Sequence, residues 1–130
     1  MYFIDTSAAV KLVAKESESS AMTTWARRHD GQIVACDLLR TELVRAVRRV
    51  DVSLMGQAVA VLDSLFVVTL TTQTYAHAAE LEPRSMSSLD ALHLACALGL
   101  GDSIDGLVTY DDRWATAARD YGLTVVTPRR

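Results

Sequence analysis

The sequence predicts an α/β fold, a three-layer α/β/α sandwich around a central, mostly parallel sheet of four to five strands. Two observations predict it. Short apolar runs such as Tyr2-Phe3-Ile4, Ile33-Val34-Ala35-Cys36 and Leu107-Val108 recur along the chain without polar alternation, as strands buried on both faces read. Between them lie longer stretches whose apolar residues return every three or four positions, the period of a helix packed on one side. Strands alternating with helices indicate a parallel sheet covered on both faces.

Taken in order, residues 2–5 read as a short buried strand, and Ala8 to Lys15 as a helix with Ala8, Ala9, Leu12 and Val13 on one side. Ser17 to Ser20 supply cap candidates for a second helix ending near His29, and Asp30-Gly31 is a turn signal. Ile33 to Cys36 is a second strand. Asp37 is expected to cap a helix running to about Val50, and Asp51 or Ser53 another running through Leu65. Phe66 to Leu70 is β-rich and reads as a third strand. Thr72 to Leu81 is helical and Pro83 ends it. Ser87 or Ser88 opens a helix reaching Gly99 or Gly101. Gly106 to Tyr110 is a fourth strand. Asp111 or Asp112 opens a last helix that Gly122 closes, and Leu123 to Val126 is a fifth, short strand.

Length and composition set the class. The 130 residues fit a single domain, 1–130. Half of them are hydrophobic, which excludes a disordered chain. Net charge is −3, from 13 basic and 16 acidic residues, so binding of nucleic acid by bulk charge is excluded and any such partner needs a local basic patch plus a metal. Cys36 and Cys96 lie in apolar surroundings and read as buried free thiols. No signal segment is visible, and no apolar run reaches the roughly 18–20 residues of a membrane span. A reducing cytoplasm is the expected location, with no membrane partner.

Four acidic residues carry the chemistry. Asp5 and Asp111 follow the first and fourth strands, at the carboxyl edge where ligands of parallel sheets collect. Glu42 lies on a helical stripe with Leu39, Leu43, Ala46 and Val50. Asp90 stands on a stripe with Leu94 and Ala97. Each also has a plain structural role: Asp5 as a helix cap, Glu42 paired with Arg45 on a helix surface, Asp90 in a capping box with Ser87, and Asp111 or Asp112 as a cap. Carboxylates gathered beside a core repel one another and lose hydration, so a cluster of this kind needs a cation. Mg²⁺ suits it, with Mn²⁺ as the alternative. Asp111 stands nearer the strand end than Asp112, which is the alternative ligand or a helper. Thr6 and Thr109 adjoin the strand-end aspartates and are expected to orient carboxylates or a water. Arg45, Arg48 and Arg49, beside Arg40 on the helix of Glu42, and Arg113, with Arg119 on the last helix, form candidate phosphate contacts or a solvated face. His93, one turn beyond Asp90, reads as a packed histidine on an apolar helix.

The segments Asp5-Thr6-Ser7-Ala8, Thr41-Glu42-Leu43, Asp90-Ala91-Leu92-His93-Leu94-Ala95 and Thr109-Tyr110-Asp111-Asp112-Arg113 together resemble the PIN domain family, and within it the VapC-type toxins of toxin–antitoxin pairs. The closing Gly122 to Pro128 is also similar, so the resemblance spans nearly the whole chain. It implies a PIN-like fold and Mg²⁺- or Mn²⁺-dependent endoribonuclease activity on transfer, ribosomal or messenger RNA. Asp5, Glu42, Asp90 and Asp111 would be the catalytic and metal-holding residues, with Asp5 and Asp90 as the firmest contacts. It also implies a homodimer and a VapB-type antitoxin as partner. The apolar excess on the helix after Asp51 (Val52, Leu54, Met55, Val59, Val61, Leu62, Leu65) agrees with an interface, or with a central, fully buried helix. A catalytically silent PIN domain that binds RNA or protein is the alternative. A receiver-type phosphotransfer domain needs an acidic pair after the first strand and a late lysine. Only Asp5 is present there, and the lysines are Lys11 and Lys15. An aspartate-nucleophile phosphatase needs a second aspartate at position 7, which is Ser7.

Overall fold

The computed structural model describes residues 1–130. The chain runs β1 (Tyr2–Ile4), α1 (Thr6–Val10), α2 (Ser19–Arg28), β2 (Ile33–Cys36), α3 (Leu39–Val50), a short 3-10 turn, α4 (Met55–Ser64), β3 (Phe66–Val68), α5 (Thr72–Glu80), α6 (Ser88–Leu100), a second 3-10 turn, β4 (Gly106–Val108), α7 (Asp112–Asp120) and β5 (Val125–Val126). The five strands pair in the order β3-β2-β1-β4-β5, every pair parallel. The sheet is therefore wholly parallel.

Successive residues of each strand feed opposite cores, because side chains alternate across a pleated sheet. Phe3, Val34, Cys36 and Leu107 pack on one face against the buried stripes of α5, α6 and α7. Ile4, Ile33, Ala35 and Val108 pack on the other against α1, α2, α3 and α4. Both faces are covered, as an all-parallel sheet requires.

The strand order places the switch in connection direction at β1: the chain leaves it for β2 and β3 on one side and for β4 and β5 on the other. The carboxyl ends of β1 and β4 are neighbours, with Ile4 in register with Val108. The crevice outside these ends is where a doubly wound sheet binds its ligands.

Several element boundaries differ from expectation. α1 ends at Val10, and residues 11–13 form tighter turns in which Leu12 and Val13 donate to the carbonyls three residues back. No serine caps α2: its N-cap is Glu18 in a left-handed conformation, while Ser19 Oγ accepts from the Glu16 amide and donates to the Ala14 carbonyl. The carboxylate of Asp37 caps nothing, because α3 opens from Leu38. Asp51 caps the 3-10 turn at Val52–Leu54 and α4 starts only at Met55. β4 stops at Val108, and just beyond it the Tyr110 amide donates to Ser7 Oγ at 2.9 Å instead of continuing the ladder. Gly106 has a local reason: a Cβ there would lie 3.0 Å from the Thr124 carbonyl oxygen of the neighbouring segment.

Candidate active site

Asp5 leaves β1 in an extended conformation and caps α1. Its Oδ1 accepts from the Ala8 amide at 3.0 Å and the Ser7 hydroxyl at 2.8 Å, and its Oδ2 from the Thr109 hydroxyl at 2.6 Å. The residue is only 8% exposed. Burial raises its pKa, and the hydrogen bonds of Thr109, Ser7 and Ala8 oppose that rise without cancelling it.

The two hydroxyls join the loops after β1 and β4. Thr109 Oγ1 accepts from the Asp111 amide at 3.0 Å while donating to Asp5. Ser7 Oγ lies 3.2 Å from Thr109 Oγ1 and accepts from the Tyr110 amide. Ser7, not Thr6, is thus the orienting hydroxyl beside Asp5, and the Thr6 hydroxyl is buried with no hydrogen-bond partner. The signal for Ser7 was its place two residues after Asp5, where a short hydroxyl can reach back.

Asp111 caps α7, with Oδ1 accepting from the amides of Arg113 at 3.0 Å and Trp114 at 3.1 Å. Asp112 is the exposed first residue of that helix. Asp90 sits in the first turn of α6, where its amide donates to Ser87 Oγ at 3.2 Å. Trp114 Nε1 donates to the Asp90 carbonyl at 2.9 Å, tying α7 to the first turn of α6. Asp90 and Asp111 line one cleft together with Ser87, Met86 and Arg113. The Asp90 carboxyl is held above its usual range, first by burial and then by the negative charges of Asp111 and Glu42, against the pull of Ser87 and His93.

Glu42 occupies the first turn of α3, its side chain 22% exposed. Its Oε1 accepts a short hydrogen bond from His93 Nε2. His93 is 2% exposed, and its Nδ1 lies 3.4 Å from Cys36 Sγ. Burial disfavours a charged ring, but the bonds to Cys36 and Glu42 outweigh it and raise the His93 pKa to about 10. His93 is therefore more than packing: its ring ties Glu42 on α3 to Cys36 on β2. Its spacing from Asp90 was legible in the sequence; its two partners, on α3 and β2, were not.

Both cysteines are free and buried, as expected. Arg113 borders the acidic cleft. Arg45, Arg48 and Arg49 instead line a separate surface hollow with Val52. Between Glu42 and Arg48 the helix rises about 9 Å.

The donor set suits a hard cation. Asp5 Oδ2 takes one hydrogen bond and keeps one lone pair, and Glu42 and Asp111 each accept through a single oxygen, leaving the other free. No three acidic, histidine or cysteine side chains are gathered closely enough to enclose an ion. An open site of this kind fits Mg²⁺, which is held through one or two carboxylates and keeps several waters.

The PIN domain family model matches residues 2–120. This chain is a PIN domain protein. Within the family it belongs with the VapC ribonucleases. It is 33% identical to ribonuclease VapC47 of Mycobacterium tuberculosis over 98% of this chain and 97% of that protein. It is likewise 33% identical to ribonuclease VapC46 of the same species, covering 97% and 96% of the two chains. The fold matches the crystal structure of M. tuberculosis VapC20, a sarcin-ricin loop cleaving toxin, with a TM-score of 0.81 at 18% identity, over 98% of this chain and 100% of that one. The PIN domain's five-stranded parallel sheet between helical layers is thus shared with a solved VapC toxin, and the homologues of this PIN domain are ribonucleases.

Proposed function

We propose that this PIN domain, one domain over 1–130, is the toxin of a toxin–antitoxin pair: a Mg²⁺-dependent endoribonuclease, with Mn²⁺ as a substitute, that cleaves cellular RNA in the cytoplasm. A single observation carries the proposal. Full-length similarity to VapC ribonucleases coincides with four acidic residues at the starts of four helices, around the carboxyl edge of β1 and β4.

Asp5 and Asp90 would hold the ion, with Glu42 and Asp111 completing its shell or fixing its waters. A bound divalent ion would polarise the scissile phosphate and make a bound water more acidic. The chain's own groups set the stage. Ser7 and Thr109 hold Asp5 in one orientation, Trp114 fixes Asp90 relative to Asp111, and Arg113 stands at the cleft to meet a phosphate. Asp112 would assist from the outer edge. Arg45, Arg48 and Arg49 would track the RNA backbone away from the cut.

Val50, Val52 and Val59 are 62%, 63% and 49% exposed around the start of α4. That apolar surface supports the homodimer, and a VapB-type antitoxin is the second partner. Neutralisation by that antitoxin would restore translation and growth.

Purified protein incubated with total RNA, with Mg²⁺ or with EDTA, tests the enzyme reading. Cleavage that requires the metal and vanishes in Asp5→Asn is expected. Intact RNA in every lane, with RNA retained on the protein, would replace it with the silent binding module.

A further inference from the structure

The proposed carboxylates differ in how they are held. Asp5 and Asp111 are fixed by backbone amides as helix caps. Glu42 receives no amide bond. Its side chain is longer, has one more rotatable bond, and stands partly exposed in the first turn of α3. Left alone, such a side chain samples many rotamers. What restrains it is a ring from the opposite layer.

His93 projects from α6, whose stripe packs on the α5–α7 face of the sheet, whereas α3 packs on the other face. The ring therefore reaches around the carboxyl edge of the sheet to meet Glu42. Three contacts lock it. Nε2 donates to Glu42 Oε1, Nδ1 meets Cys36 Sγ at 3.4 Å, and the ring stands edge-on to Phe3 with centroids 6.4 Å apart. Cys36 ends β2 and Phe3 lies in β1, so two central strands set the ring's place. A histidine 2% exposed, filling space that an aliphatic side chain would fill without desolvating two nitrogens, needs a polar reason to be there. Occupying Oε1 leaves Oε2 as the free ligand oxygen.

We infer that His93 is a positioning residue that holds Glu42 in its ligand orientation, with Cys36 fixing the ring, so that metal affinity depends on a side chain that never touches the metal. This deepens the ribonuclease reading and rests on it. Groups that orient a metal ligand through hydrogen bonds commonly change metal affinity by about 10–100-fold when removed.

The test uses two variants and two readouts. His93→Leu fills the volume and removes both nitrogens, while His93→Gln keeps a donor near the position of Nε2. Mn²⁺ binding is measured by calorimetry on each, beside wild type and Asp5→Asn. Both variants are neutral, so the hydrogen bond alone separates them: His93→Leu should bind Mn²⁺ at least about tenfold more weakly than His93→Gln. RNA cleavage should follow in kcat, with KM little changed. Equal Mn²⁺ affinity in His93→Leu and His93→Gln would overturn the inference. The second readout needs no metal. Thermal unfolding in EDTA is compared across wild type, His93→Leu, Glu42→Gln and the double variant. The two changes should be non-additive, because each removes the same bond. Additive effects would mean the ring does not hold Glu42, and that result stands even if wild type neither binds Mn²⁺ nor cuts RNA, an outcome that would sink the ribonuclease reading by itself.

Discussion

Asp5 combines a cap, a buried charge and a proposed metal ligand in one side chain. Its burial keeps the carboxyl pKa raised even with three hydrogen bonds to it. In the metal-free fold the ionised form of Asp5 therefore bears a desolvation cost that its hydrogen bonds only partly offset. Asp5→Asn keeps the shape and an oxygen for the Ala8 amide while removing the charge. RNA cleavage should fall at least about 100-fold, while the melting temperature in EDTA rises by a few degrees, equivalent to roughly 1 kcal/mol. A variant that cuts RNA at the wild-type rate would remove Asp5 from the site. The residue scale also separates the two threonines: Thr109 donates to Asp5 and accepts from Asp111, whereas the Thr6 hydroxyl bonds to nothing.

Helix starts do most of the work at the scale of elements. α1 and α7 are capped by Asp5 and Asp111, and α6 and α3 bring Asp90 and Glu42 in their first turns. Partial positive charge at these ends favours anions, which helps the structure tolerate four of them. Asp111 can be split into its two roles. Asp111→Asn remains a good cap and should hold stability near wild type, whereas Asp111→Ala should cost about 1 kcal/mol. Both should lose RNA cleavage to a similar degree, as thermal melts beside activity assays will show. If Asp111→Asn cuts RNA normally while Asp112→Asn does not, the fourth ligand is Asp112. On α3 the last turn carries Arg48 and Arg49, favourable there for the helix dipole alone. Replacing both with Gln should weaken RNA binding and flatten its dependence on log salt by about 0.7 for each phosphate no longer neutralised. An unchanged slope would leave them as a solvated helix end.

Across the whole molecule, titration links the site to stability. Asp5 and Asp90 have folded-state pKa values above the ordinary 3.8. Their penalty is absent below about 3.8 and grows as pH rises toward the raised values. His93 has the opposite charge type: its pKa goes from 6.5 to about 10. Its stabilisation is complete below 6.5 and is lost as pH rises through about 10. Both trends weaken the metal-free fold as pH rises, and the His93 part occupies the window from 6.5 to about 10. Melts in EDTA should show a falling melting temperature across that window, with a smaller fall in His93→Leu. Mg²⁺ should raise the temperature at neutral pH by binding only the folded state. A flat profile in EDTA would show that the ring does not carry charge in the fold. No helix is long and apolar enough to cross a membrane.

What the sequence determined by itself was local. Unbroken apolar runs and helical periods follow from neighbouring residues, and they announced the layers, every strand and the acids at strand ends. Cap chemistry narrowed the start of α6 to Ser87 or Ser88 and that of α7 to Asp111 or Asp112, and Ser87 and Asp111 are the caps, since a cap is a contact between residues two or three apart. It misplaced Asp37, whose local signal lost to the packing that starts α3 at Leu39. Tertiary structure alone decided which strands are neighbours. Setting β4 beside β1 brings Thr109 onto Asp5 across 104 positions. Packing α6 and α3 on opposite faces of one edge brings His93 onto Glu42 across 51. No periodicity encodes such pairs, because they depend on the order in which the strands assemble, and that order is chosen by burial summed over the whole sheet.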